Sequence, residues 1–257
     1  MLFRLYPFLA TLFFIGLIIF TLYFFGNSFV WWVLGGGAAV ILFLVKKSVS
    51  RITSMITPLM LIGGSLPVIS LMGTPALRYF SIVLLSVSLY LTLLIKGRLG
   101  DNPVDKIALA LLSGVNFLTF FVLANLLFAS FINFSEIVFP VWLMIILTTL
   151  VSFIVTKDTL ENNLFLPLKR GELTKNDVNA ASLLVALMTS EIAWGLVFYP
   201  FRYRSSAVLL LAAYYIFFTA TQFFLTKEEK RRKLAKDIVI VLIATGLILL
   251  SSKWRYY

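Results

Sequence analysis

One carboxylic acid lies inside an apolar stretch of the sequence, in ALMTSEIAWGLVFYPFRYR at residues 186–204. Placing a charged side chain at the centre of a membrane costs roughly 2.5–3.5 kcal/mol on insertion scales, so such residues are candidates for function. Glu191 could exchange a proton or hold a cationic group, or it could join two helices as a neutral hydrogen-bonding side chain. The chemistry of this chain therefore depends first on what surrounds Glu191.

Few other residue types here could support catalysis, because the sequence contains no cysteine and no histidine. Their absence excludes thiolate nucleophiles, disulfides, Cys-ligated metals, histidine metal sites and histidine proton relays. We expect no cofactor and no metal site, and a non-enzymatic protein is favoured over an enzyme. The other polar residues inside apolar stretches are Asn116, Asn125 and Gln222.

The composition indicates the class of fold that holds these polar residues in place. Soluble domains contain about 45–50% apolar and about 25% charged residues, whereas this chain has 61% hydrophobic and 13% charged residues. Several apolar runs are long enough to cross a hydrocarbon core of about 30 Å. We therefore predict an all-α fold, a polytopic transmembrane helix bundle that forms a single integral membrane domain over residues 1–257.

The apolar runs predict about nine spans, or eight if the short last one does not cross the membrane. Their predicted bounds are 5–25, 28–45, 52–72, 76–95, 107–127, 136–156, 178–199, 206–225 and 237–252. GGSLP at 63–67 predicts a kink or an unwound turn in the third span, because proline removes a hydrogen-bond donor. Thr174 and Asp177 resemble a capping box before the seventh span.

The distribution of basic residues predicts the orientation. Lys and Arg concentrate in the cytoplasmic loops of membrane proteins, so the net charge of +11 indicates topology and not a nucleic-acid partner. With the N-terminus inside, the inner segments hold most of the basic residues, and we predict an N-in, C-out arrangement. The outer segments hold only Arg78, Arg202, Arg204, Lys253 and Arg255.

Two cytoplasmic loops follow from this orientation, at 157–177 and 226–236. Basic residues near a membrane surface attract anionic lipid by roughly 1 kcal/mol each. We expect this contact in the second loop, at Lys230, Arg231, Arg232 and Lys233.

Glu191 is predicted to face the helix bundle as a protonated carboxyl with a polar partner from another span. Trp194 and Phe198, at i+3 and i+7, would share its helix face and form an aromatic wall. The partners at matching depth are Tyr214, Tyr215, Asn116, Thr119 and Ser86. The predicted functional cavity consists of Glu191, Trp194, Tyr214, Tyr215 and Asn116.

The segment SEIAWGLVFYPF at 190–201 resembles a family of multi-pass prokaryotic membrane proteins in which a Glu-x-x-Trp pattern precedes an outward Pro-Phe turn. The resemblance covers the last third of the chain and implies a multi-pass protein of a prokaryotic cell membrane. Because no activity is assigned to that family, it implies no role for Glu191, Trp194 or Pro200.

Three functional hypotheses are left open by these residues. The favoured one is a permease-like carrier or an accessory component of an envelope assembly, which would have a membrane protein partner. The second is an envelope enzyme that acts on a lipid-linked substrate at the outer face, with Glu191 or Glu136 as general acid/base. The third is a membrane scaffold without a small-molecule site.

Overall fold

The computed structural model describes residues 2–24, 39–47, 55–98, 106–133, 140–164, 174–199, 201–226 and 231–251. Within these ranges the chain is helical apart from short turns and contains no strand, which confirms the all-α prediction for that part. The helices are α1 (Leu2–Phe24), α2 (39–47), α3 (Ile56–Ser70), α4 (Pro75–Arg98), α5 (Lys106–Asn133), α6 (Val141–Leu164), α7 (Lys175–Val197), α8 (Tyr203–Thr226) and α9 (Arg231–Ser251).

Six of the described helices are long and apolar enough to cross a membrane, namely α1 and the five from α4 to α8. The chain therefore has the helices of an integral membrane protein. By contrast, α3 has only 15 residues, and the apolar run of α9 is short, from Ile238 to Leu250. Most of the predicted second span, 28–45, lies outside the described residues. The count of nine spans and the direction of crossing stay predictions.

The unwound turn predicted at GGSLP is not present, since α3 is helical without interruption from Ile56 to Ser70. Pro67 has no N–H to donate to the carbonyl of Gly63, but it lies in the last turn, where one missing hydrogen bond interrupts little of the helix. The hydroxyl of Ser65 donates to the carbonyl of Ile62 at 2.8 Å.

The chain divides into two compact units, Met1–Thr119 and Phe120–Tyr257, which are described separately. In the first unit, α1 and α3 both pack against α4. The turn between α3 and α4 is closed by Arg78, whose Nε donates to the carbonyl of Met72 at 2.7 Å. Pro75 begins α4, a position at which its missing N–H costs nothing.

In the second unit, α7 packs between α6 and α8, and α8 packs against α9. Here α6 continues to Leu164, past the predicted end of the sixth span at Thr156. Residues 157–164 are therefore helical, because polar residues end a membrane span without ending a helix. The cytoplasmic loop at 157–177 stays a prediction. Helix α7 supplies the predicted Glu191.

Candidate functional site

Helix α7 begins with the capping box that the sequence predicts. The Thr174 hydroxyl accepts a hydrogen bond from the Asp177 backbone N–H at 3.3 Å, and the Asp177 carboxylate accepts one from the Thr174 backbone N–H at 2.8 Å. The two bonds satisfy backbone donors that the first turn of a helix leaves free. They fix where α7 starts.

One face of α7 is buried and consists of small residues. Such residues allow neighbouring helix backbones to approach closely in a membrane, and this face packs in the second unit, where α7 contacts α6 and α8. Ser182 and Thr189 donate their hydroxyls to carbonyls one turn earlier in α7, each at 2.7 Å. The buried residues are Val178, Ala181, Ser182, Val185, Ala186, Thr189, Ser190 and Ala193.

The opposite face of α7 is exposed and carries large side chains around Glu191. Successive residues of an α-helix are rotated by about 100°. Ser182 and Glu191 are nine residues apart in the sequence, so their side chains lie on opposite faces of α7. The exposed residues follow one another at alternating spacings of three and four, which is the pattern of the contact seam between two helices of a coiled coil. We call this set the Glu191 face: Leu184, Leu187, Glu191, Trp194 and Phe198.

The prediction that Glu191 faces the bundle with a polar partner is therefore wrong. Its side chain is exposed, and within the described part of the chain it makes no hydrogen bond or ion pair. The physical reason is that the small residues of α7 take the buried positions, since they permit the closest helix packing. The helical phase then turns Glu191 outward.

The predicted aromatic neighbours of Glu191 are present on its own helix. The Trp194 and Phe198 rings meet edge to face, with centroids 5.8 Å apart and an interplanar angle of 88°. Both side chains are exposed, Trp194 at 52% and Phe198 at 68%. They form an aromatic wall on the surface of α7, one turn and two turns beyond the carboxyl.

Tyr214, the first predicted partner of Glu191, has a different partner. The Thr156 hydroxyl of α6 donates to the Tyr214 phenol oxygen at 3.1 Å. The Tyr214 ring is fully buried and stacks on Phe120, with centroids 4.2 Å apart. Tyr215, the next residue, is half-buried. Tyr214 therefore belongs to the core of the second unit.

A row of buried hydroxyls on α6 was missed by sequence reasoning. Thr148, Ser152 and Thr156 follow one another at i+4 and are at most 1% exposed. Thr156 bonds Tyr214, whereas the hydroxyl oxygens of Thr148 and Ser152 have no hydrogen-bond partner among the residues that the structure describes. The i+4 spacing of hydroxyl residues was the available signal, and it is common in ordinary membrane helices.

The remaining predicted partners of Glu191 are buried residues. Asn116, Thr119 and Ser86 belong to the first unit, and all are buried there, at 1%, 0% and 4% exposure. Thr119 donates its hydroxyl to the carbonyl of Val115 in its own helix, at 2.9 Å. The residues predicted for one cavity are thus divided between the two units.

Of the predicted lipid-binding residues, Arg231, Arg232 and Lys233 form the first turn of α9, whereas Lys230 lies outside the described residues. Glu136, the second candidate acid, also lies outside them. Among the residues that the structure describes, no group of three Asp or Glu could hold a metal ion.

Comparison with known proteins provides no relative. The chain matches no family model, no curated protein and no solved structure.

Proposed function

We propose that this integral membrane protein is an accessory component of a membrane assembly and contacts another protein through the Glu191 face. One observation carries the proposal: Glu191 lies at the centre of an exposed seam of large side chains on α7. Exposed leucines and aromatics are ordinary on a membrane helix, because lipid tails solvate them. A carboxyl at the same position is costly in lipid.

A protein partner removes this cost by supplying a hydrogen-bond donor to the carboxyl. Polar side chains act between membrane helices in this way, with about 0.6–2 kcal/mol per hydrogen bond. The packing of α7 supports the proposal, because its buried face of small residues is already in contact with α6 and α8. The Glu191 face is left for a contact outside the second unit.

Site-specific photo-crosslinking in intact membranes tests this contact. We expect a photoreactive residue at Leu187 to form protein adducts and one at Phe224, a 77% exposed position on α8, to form lipid adducts. The Leu187 adducts should decrease when Glu191 is changed to Ala. Lipid adducts alone at Leu187 would contradict the proposal.

A permease-like carrier is the second candidate, and it rests on the α6 hydroxyls. Thr148 and Ser152 place two unpartnered, buried oxygens on the same line as the Thr156–Tyr214 hydrogen bond. We propose that a transported proton would follow this line of hydroxyls within the second unit. In proteoliposomes that contain a pH-sensitive dye, a proton flux that Ser152→Ala abolishes would favour this candidate, and the same flux from both proteins would contradict it.

We further propose nine spans with the N-terminus inside, in the cell membrane of a prokaryote. The bias of Lys and Arg toward alternate connecting segments supports the orientation. The location rests on the sequence pattern of residues 190–201 alone, since no family model matches. The short apolar run of α9, Ile238–Leu250, is the weakest of the nine candidate spans.

Anionic lipid is the proposed partner at the start of α9. Arg231, Arg232 and Lys233 follow Lys230 directly, and clustered basic residues bind anionic headgroups. Changing all four to Gln should reduce the anionic phospholipid that co-purifies with the protein, as measured by native mass spectrometry. The same substitution at Lys46 and Lys47, which are exposed on α2, is the matched control.

A further inference from the structure

We infer that the partner at the Glu191 face is a second copy of this chain, packed α7 against α7 about a two-fold axis along the membrane normal. The inference rests on the proposed function, since it specifies the occupant of the same surface. It predicts a dimer in which each copy supplies the hydrogen-bonding group that the Glu191 of the other copy requires.

Symmetry restricts how two copies can meet. Copies inserted with the same topology have parallel α7 helices, so the axis that relates them runs along the membrane normal. The spacings from Leu184 to Phe198 assign Leu184, Glu191 and Phe198 to position a of a heptad, and Leu187 and Trp194 to position d. In a parallel pair of helices, each residue at position a lies opposite the same residue of the partner helix.

This register brings the two Glu191 carboxyls together. A protonated carboxyl donates one O–H and a second carboxyl accepts it, so the pair satisfies itself without a basic residue. That property matters because residues 178–199 contain no Lys or Arg. Lys175 lies in the first turn of α7, far along the helix from Glu191, so the α7 of a second copy offers no cation at the depth of Glu191. Matching depth is also guaranteed, since both carboxyls occupy the same position of the same chain.

The exposed pattern on either side of Glu191 agrees with such a seam. Leu184 is 54% exposed, Leu187 is 49% exposed, and the aromatic pair of Trp194 and Phe198 follows on the same face. A single polar residue at position a, within an otherwise apolar seam, is the arrangement that fixes register and oligomeric state in coiled coils. Glu191 is the single polar residue at position a of the seam on α7.

Cysteine crosslinking tests the register directly, because the natural chain contains no cysteine. Leu184→Cys, Leu187→Cys and Phe198→Cys should each form an oxidant-induced dimer in native membranes, since a disulfide requires Cα atoms within about 7 Å. Ile192→Cys, on the same helix but off the seam, and Phe224→Cys on α8 are the controls. Dimers at the controls equal to those at the seam would overturn the inference.

Variants of Glu191 test the role of the carboxyl. Co-purification of two differently tagged copies should be retained in Glu191→Gln, whose amide also donates and accepts, and should weaken about tenfold in Glu191→Ala, equivalent to about 1.4 kcal/mol. Because Glu191 lies outside the packed face of α7, the helix content of the alanine variant, measured by circular dichroism, should equal that of the unchanged protein. Undiminished association of Glu191→Ala would overturn the carboxyl pairing.

The two proposals fail in different ways. Photo-adducts at Leu187 with a different protein, without self-crosslinking of the cysteine variants, would overturn the dimer and leave the proposed function standing. Lipid adducts alone, together with no cysteine dimers, would overturn both. Adducts at twice the mass of the chain, together with dimers at all three seam positions, would support both.

Discussion

The Thr156 hydroxyl on α6 lies 3.1 Å from the Tyr214 phenol oxygen on α8, and this hydrogen bond joins two helices that are distant in sequence. Tyr214 is fully buried and stacks on Phe120 at 4.2 Å. The buried hydroxyl of a tyrosine requires a hydrogen-bond partner, and its aromatic ring contributes dispersion and packing. Tyr214 therefore combines a polar and an apolar contribution to the second unit.

Two substitutions separate these contributions. Tyr214→Phe keeps the ring and removes the hydrogen bond, so we expect it to lower the free energy of unfolding by only about 0.6 kcal/mol. Tyr214→Ala also removes the ring and leaves a cavity, for which about 3–5 kcal/mol is expected. Unfolding by denaturant titration in detergent measures both. Equal losses for the two variants would show that the ring does not contribute.

A double-mutant cycle with Thr156→Val isolates the hydrogen bond itself. The coupling between Tyr214→Phe and Thr156→Val should equal most of the loss from Tyr214→Phe alone, because each change removes the same contact. Strictly additive losses would mean that the Tyr214 phenol oxygen finds another donor.

The small-residue face of α7 is the subject of the second prediction. Ala186 is fully buried, and enlarging it to Leu should destabilise the protein by about 1–3 kcal/mol through overpacking of a helix contact. Ala180→Leu is the matched control, because Ala180 is exposed on the same helix. The unfolding midpoints of the two variants in detergent provide the comparison, and similar midpoints would contradict the assigned faces.

These two faces also show what the sequence could and could not predict. The extent of α7 and its capping box at Thr174 follow from apolar length and local hydrogen-bonding chemistry, and both are confirmed. The orientation of Glu191 does not follow, because lipid is as apolar as a helix interior and hydrophobicity cannot distinguish the two environments. Residue size was the informative signal, since Ala181, Ser182 and Ala186 mark the packed side.

The same limit explains the hydroxyls of α6. Thr148 and Ser152 are small and weakly polar, so they fit either a lipid-facing or a packed position. Which position they take depends on how α6 packs against α7. Lys157 and Asp158 mark the end of an apolar span, but they do not end the helix, and α6 continues to Leu164.

Arg78 is the subject of the third prediction. Its Nε donates to the carbonyl of Met72 just beyond the end of α3, at 2.7 Å, where a cation also favours the negative end of the helix dipole. Arg78→Ala should therefore loosen the turn between α3 and α4 and lower the free energy of unfolding by about 1 kcal/mol.

Hydrogen exchange of the peptide that spans Met72 to Thr74 measures this effect locally, and it should be faster in Arg78→Ala. Tyr79→Ala is the control, because Tyr79 is the next residue and is 65% exposed. The assignment of Arg78 as the residue that closes this turn fails if exchange increases equally in both variants.

The last prediction concerns whether α9 crosses the membrane. A topology reporter fused after Thr226, at the end of α8, should report the cytoplasm, because the segment that follows is rich in Lys and Arg. A reporter fused after Tyr257 should report the exterior if α9 spans. The apolar run of α9, Ile238–Leu250, is shorter than the ~20 residues that a perpendicular span needs, so Lys236 must snorkel toward the headgroups for α9 to cross. The same side reported at both positions would remove the ninth span and leave eight, with α9 lying along the cytoplasmic surface.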